Sequence, residues 1–198
     1  MSGEKSFFEQ NITSLHNLTS IYQYINRNAT LMDADHLLRA EYVLIVSAFD
    51  NYIHHIVRRK IRESFFDGLP VTSELCMPTN IFQTIHNETN PKVQQNIFDA
   101  ALRKTLEKDS YQSPRSIEYA LNLIGINHIW TAVSSIMGVK PKHVKMQLSL
   151  IVKRRNQIAH EADIDYSIDS CRSIDELTVM ECHKFLKKLV KGIDALII

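Results

Sequence analysis

Glycine and proline are scarce, 5 of each in 198 residues. An all-β chain draws on both for its many tight turns, so that class is excluded and helices are expected. Cysteine is sparse too. Cys76, Cys171 and Cys182 form an odd count without a CxxC pair, which argues against a disulfide framework and a structural zinc site and suits a reducing compartment. Long apolar runs are missing. The longest near-continuous one, Tyr42 to Phe49, is far too short to span a bilayer. The opening MSGEKSFFEQ lacks the basic-then-apolar order of a signal peptide. The expectation is a soluble cytoplasmic protein that does not use a membrane.

What is present is a hydrophobic fraction of 44%, enough for a packed core and against a disordered chain. The net charge is only +1, so affinity for a polyanion must come from a local patch rather than a global field. There is no repeat or low-complexity tract. The whole chain, 1–198, is read as a single all-α domain, with 71–139 as a helical insertion between the long helices.

Helical periodicity runs nearly throughout. Ile12, Leu15, Leu18, Ile21, Tyr22 and Ile25 predict a helix over about Glu9 to Asn28. A second, capped by Asp33 or Asp35, runs to about Phe66, where Gly68-Leu69-Pro70 ends it. Thr79-Asn80, Asn90-Pro91 and Ser113-Pro114 start three shorter helices, ending near His86, Glu107 and Leu123. Asn127 to Met137 forms a short apolar helix with the single tryptophan, Trp130, and another runs from Pro141 to about His160. Ala162 to Ser170 reads as a loop. Ser173-Ile174-Asp175-Glu176 fits a capping box for a last helix from about Ile174 to Ala195.

Chemistry concentrates in the run Lys153 to Asp165, KRRNQIAHEADID. Between Ile126 and His160 no acidic residue occurs, while Lys140, Lys142, Lys145, Lys153, Arg154 and Arg155 are all basic. On charge alone this is a solvated face; it is also how a chain binds a polyanion. Arg155 falls on the apolar stripe of Val144, Leu148, Ile151 or Val152, and Ile158, so it lies at an edge, is paired, or faces a ligand. Arginine is a fixed cationic fork for phosphate, and histidine moves protons near neutral pH. Five residues apart on a straight helix, Arg155 and His160 diverge by roughly 140°. Either the arginine wraps around, the helix end distorts, or a second copy of the motif completes the site across a two-fold axis.

Arg155-Asn156-(three residues)-His160 resembles the RNxxxH form of the R-x(4–6)-H motif of HEPN domains, and the continuation Glu161-Ala162-Asp163-Ile164-Asp165 is similar to the RiboL-PSP-HEPN branch. Leu37-Leu38-Arg39-Ala40-Glu41-Tyr42, running into Val46-Ser47-Ala48-Phe49-Asp50-Asn51-Tyr52-Ile53-His54, resembles the long early helix of that branch. The resemblance implies a HEPN-type helical bundle acting as a homodimeric, metal-independent endoribonuclease of a bacterial defence or toxin–antitoxin context. Its partners would be RNA, a second copy of the chain, and an antitoxin or defence-system protein. No cofactor and no metal are implied. Arg155 would bind the scissile phosphate, His160 would act as general acid or base while the 2′-OH attacks, and Asn156 would orient the histidine or the phosphate. Lys153 and Arg154 would add RNA contacts, and Asp50 and Glu41 would be accessory. Some HEPN toxins carry a tyrosine two residues after the histidine; Ala162 stands there in this chain, so modification of a tyrosine by an antitoxin is not expected.

The rival reading is a non-catalytic HEPN module that binds RNA, nucleotide or a protein. Other patterns carry less. Ser47, Asp50 and His54 share one side of a helix, but a hydrolytic triad needs an oxyanion hole that one helix does not offer. Asp50 and His54 have metal spacing without a third convergent ligand. His16, His36, His86, His128, His143 and His183 show no pattern and read as surface or core fillers.

Overall fold

The computed structural model describes residues 2–29, 32–68 and 75–197. Among them the chain is all-α: eight helices and one two-stranded ribbon. The helices are α1 (Gly3–Asn28), α2 (Asp35–Phe66), α3 (Thr79–Asn87), α4 (Pro91–Leu106), α5 (Pro114–Asn122), α6 (Ile129–Met137), α7 (Pro141–His160) and α8 (Glu176–Ile197). No helix among the described residues is long and apolar enough to cross a membrane.

The sequence signals place most boundaries within a few residues, and the departures have local causes. Helix α1 starts six residues earlier than its apolar period, because the Ser2 hydroxyl accepts from the Lys5 amide at 3.2 Å and caps the first turn. Asn90 and Ser113 cap α4 and α5, each with proline in the first turn. Helix α8 begins after Asp175 rather than after Ser173: the Thr178 amide donates to Asp175 Oδ1 at 2.7 Å, so the capping residue lies two residues beyond the expected Ser173. The expected loop after His160 contains antiparallel β1 (Ile164–Asp165) and β2 (Ser170–Cys171), with Ile164 opposite Cys171. Gly68 takes a φ of +69°, the left-handed conformation that suits glycine after a helix; Leu69 and Pro70 lie outside the described residues.

The chain divides into two units: residues 1–52 with 130–198, and residues 53–129. The second unit takes in the second half of α2. Its core is built from Ile56, Val57 and Ile61 of α2, Phe98, Leu102 and Leu106 of α4, and Ile117 and Leu121 of α5, all essentially buried. Phe65 stacks on Phe98 at 4.4 Å between ring centroids, Arg62 pairs with Asp99 at 3.0 Å, and His54 packs its ring on Tyr111.

The first unit buries Phe8 and Ile12 of α1, Leu38, Tyr42, Ile45 and Phe49 of α2, Trp130 and Val133 of α6, Leu148 and Ile151 of α7, and Leu186, Leu189 and Ile193 of α8. Each such side chain is worth about 1.5–3 kcal/mol on leaving water. Helix α8 approaches α6 closely at Gly192, where an added Cβ would meet Val133 at 3.1 Å. The start of α1 is held to α8 by the buried Asp194, which accepts from the Ser2 hydroxyl and lies 4.0 Å from Lys5 Nζ.

Cys182 lies inside this core, and burial pushes its thiol up to about 12. Cys76 and Cys171 are exposed. Since only thiolate is alkylated, iodoacetamide should modify two cysteines per folded chain quickly and the third only when the protein is unfolded. Mass spectrometry of timed samples checks this; rapid modification of Cys182 under native conditions would contradict the packing.

Candidate active site

Helix α7 carries the whole RNxxxH motif. It remains helical to His160, and the Glu161 amide closes its last turn on the Gln157 carbonyl at 3.1 Å. Distortion of the helix before His160 is therefore not how the motif meets itself. Arg155 and His160 keep the divergence that an unbroken helix imposes.

The two arginines of the motif have different surroundings. Arg154 turns into the protein. Its guanidinium pairs with Asp163, with Nη2 at 2.9 Å from Oδ2, and also donates to the Ser173 carbonyl at 3.0 Å. Asp163 has no exposed side-chain surface and receives a second guanidinium: Arg39 Nε donates to the same Oδ2 at 2.8 Å. Arg39 Nη2 continues to the Arg172 carbonyl at 2.8 Å. One buried carboxylate is thus held between two arginines, from α2 and α7. Arg154, expected among the RNA-contacting cations, is in this chain a structural partner of Asp163.

The backbone of Asp163 is fixed as firmly as its side chain. Ala162 and Asp163 both take left-handed conformations, with φ of 50° and 59°, which cost non-glycine residues about 1–2 kcal/mol each. The Asp163 amide donates to the Gln157 carbonyl at 2.9 Å, and its carbonyl accepts from the Arg172 amide at 2.8 Å. These bonds reverse the chain just past His160 and lead into β1.

Arg155, one residue and roughly 100° further round the helix, is half-buried and not part of that network. Its Nη1 donates to Asn156 Oδ1 at 2.9 Å. Its buried Nε has no hydrogen-bond partner. Asn156 therefore holds the arginine, not the histidine or the phosphate expected for it. Asn156 and His160 are exposed, as is Lys153. They continue a line of exposed side chains on α7 that includes Met146 and Leu150, 51% and 54% exposed. A groove of about 450 Å³ between α7 and α8 lies at the other end of α7 and is lined by His143, Gln147, Lys184 and Lys188; neither Arg155 nor His160 borders it.

Of the accessory residues, Asp50 is half-buried on α2. Glu41 is fully buried. Its Oε2 accepts from the Thr19 amide at 2.9 Å and hydroxyl at 2.6 Å, and its Oε1 lies 2.9 Å from His183 Nε2 and 3.6 Å from His16 Nδ1. Burial alone would raise the Glu41 carboxyl, but hydrogen bonds from His183 and Thr19 outweigh it and hold it below the usual range. Burial, with the nearby charges of His183 and Lys187, keeps the His16 ring below the ordinary histidine value against the pull of Glu41. Glu41 is thereby committed to this cluster.

The family model described as RiboL-PSP-HEPN matches residues 9–198, nearly the whole chain. No curated protein sequence and no solved structure matches it. The chain belongs to the RiboL-PSP-HEPN family.

The Asp163 network generates a stability prediction. Asp163→Ala leaves two arginines facing a buried site without their anion, a change that costs about 3–5 kcal/mol. Glu161→Gln, at an exposed position on the same turn, should change stability by less than about 0.5 kcal/mol. Urea unfolding of both variants beside the wild type checks it; equal midpoints for Asp163→Ala and wild type would contradict it.

Proposed function

We propose that this protein is a metal-independent endoribonuclease of the HEPN type, acting as a homodimer. The observation that carries this reading is the contrast between neighbouring arginines on one helix. Arg154 is paired with Asp163 and donates to the Ser173 carbonyl, whereas Arg155 is held by Asn156 and keeps a buried Nε–H without a partner. A buried unpaired donor costs about 1–3 kcal/mol, and a ligand that supplies an acceptor removes that cost. A phosphate matches the guanidinium fork.

In the reaction, a ribose 2′-OH attacks the adjacent phosphorus and the 5′-oxygen leaves, giving a 2′,3′-cyclic phosphate and a 5′-hydroxyl. Arg155 binds the non-bridging oxygens and stabilises their growing charge. His160 passes a proton, taking it from the 2′-OH or giving it to the leaving oxygen. DNA, lacking the 2′-OH, is not a substrate.

A second copy answers the divergence of the two side chains. The exposed Met146 and Leu150 lie in line with Asn156 and His160 on α7, and an apolar strip beside polar site residues suits self-association. A two-fold pairing of two chains would join two copies of the motif into one cleft. A defence or growth-arrest role, with an inhibitory partner protein restraining the activity, belongs to the same proposal.

The test is incubation of purified protein with mixed RNA and matched DNA in EDTA, beside His160→Ala. Wild type should cut RNA only, leaving cyclic-phosphate ends, and His160→Ala should lose at least about 100-fold of the rate. Cleavage of DNA, or undiminished cleavage by His160→Ala, would overturn the reading. RNA binding without cleavage would favour a non-catalytic binding module.

A further inference from the structure

The lysines at the start of α7 take no part in the chemistry assigned to Arg155 and His160. Helix α7 holds no acidic residue from Pro141 to His160, and Lys184, Lys187, Lys188 and Lys191 crowd one stretch of α8. Between these two helices lies the groove of about 450 Å³. We infer that this groove is a second RNA-binding site, which takes one unstacked base of a single-stranded RNA while the adjoining phosphates lie on Lys184 and Lys188. The inference rests on the ribonuclease reading for its ligand, a strand that also reaches Arg155.

The lining divides by chemistry. Val144 is buried, and Met137 and Phe185 are half-buried, so apolar groups form the inner wall. A base has two flat faces, and an aromatic ring gives one of them a partner whatever the base. Lys184 and Lys188 are exposed at the mouth. Four residues apart, they share one side of α8 and are separated by about 6 Å along its axis, so they follow a phosphate backbone. Glu181, also exposed, is the one acid on the lining among the described residues. It repels a phosphate but accepts from the exocyclic amino group of a base, so the base rather than the backbone turns to its end of the groove. Gln147 adds a donor and an acceptor for a base edge. The volume suits a small ring system, and duplex RNA keeps its bases stacked out of reach of such a slot.

Position joins the groove to the motif. His143, at its edge, and Arg155 lie on one unbroken helix, about 18 Å apart along the axis. A single strand covers that distance in a few nucleotides. The groove therefore holds RNA away from the scissile bond, and its contribution is to binding rather than to the reaction step. An acidic protein segment is the competing occupant. It offers carboxylates to the lysines but no flat ring to Phe185, and a helix free of acids all the way from groove to motif suits a continuous polyanion better.

The experiment follows the fluorescence anisotropy of a labelled, mixed-sequence single-stranded RNA, long enough to span groove and motif, on full-length His160→Ala protein. Adding Lys184→Ala with Lys188→Ala should weaken binding at least about 10-fold and reduce the slope of log affinity against log salt by roughly 1.4, the value for two phosphate contacts on a single strand. Phe185→Leu keeps an apolar side chain without the ring and should weaken binding by about 5-fold. With His160 intact, the lysine double variant should raise KM for the long RNA at unchanged kcat, and should cut a dinucleotide, too short to reach the groove, as the parent does. The binding arm needs no turnover, so it decides the groove even where RNA is not cut; cleavage with the same KM in parent and double variant marks failure of the groove alone. Undiminished RNA binding by the double variant would overturn the inference and leave the groove to an acidic protein segment. Displacement of the RNA by micromolar AMP would overturn it in favour of a free-nucleotide site.

Discussion

One buried carboxylate organises the segment of this protein that carries the RNxxxH motif. Asp163 accepts from Arg39 and Arg154 while its own backbone ties the end of α7 to the strand that returns beside it. Both the position of His160 at a clean helix end and the direction of Arg155 follow from that anchor. With Arg154 locked inward, its neighbour must face elsewhere, and with Asp163 reversing the chain, the last turn of α7 is left exposed. Breaking a buried ion pair is strongly unfavourable once both partners are desolvated, so the arrangement tolerates little drift.

The same contact explains why two short segments carry the family resemblance. Leu37 to Tyr42 contains Arg39, and the run after His160 contains Asp163. They lie more than a hundred residues apart and meet in a single ion pair. Glu41, two positions beyond Arg39, sits in the second polar cluster of the unit, with Thr19, His16 and His183. The early helix thus contributes one arginine and one glutamate to two different buried contacts, and neither points to the exposed face of Asn156 and His160.

Helix content, the long α2, the start of α7 at Pro141 and its end at His160 were legible in the sequence, because apolar spacing and proline or glycine punctuation are local signals. The Asp175 cap of α8 was missed because Ser173 offers the same chemistry two residues earlier. The motif itself was legible, but its two arginines were not distinguishable. Arg154 and Arg155 are adjacent, equally charged and flanked alike, and only a partner distant in sequence decides which one turns inward. The pairing of His16 with His183 left no trace for the same reason: each occurs singly on its helix, and only the packing of α1 and α8 on α2 brings them to Glu41. The ribbon after His160 was hidden because two-residue strands have no period to read.

The most direct test of the account compares Arg154→Ala with Arg155→Ala in two assays, equilibrium unfolding and RNA cleavage. The account predicts a split. Arg154→Ala loses stability because Asp163 is left with one cation, while Arg155→Ala unfolds like the wild type and has lost cleavage. The reverse pattern, a stable and inactive Arg154→Ala beside an active Arg155→Ala, would contradict it.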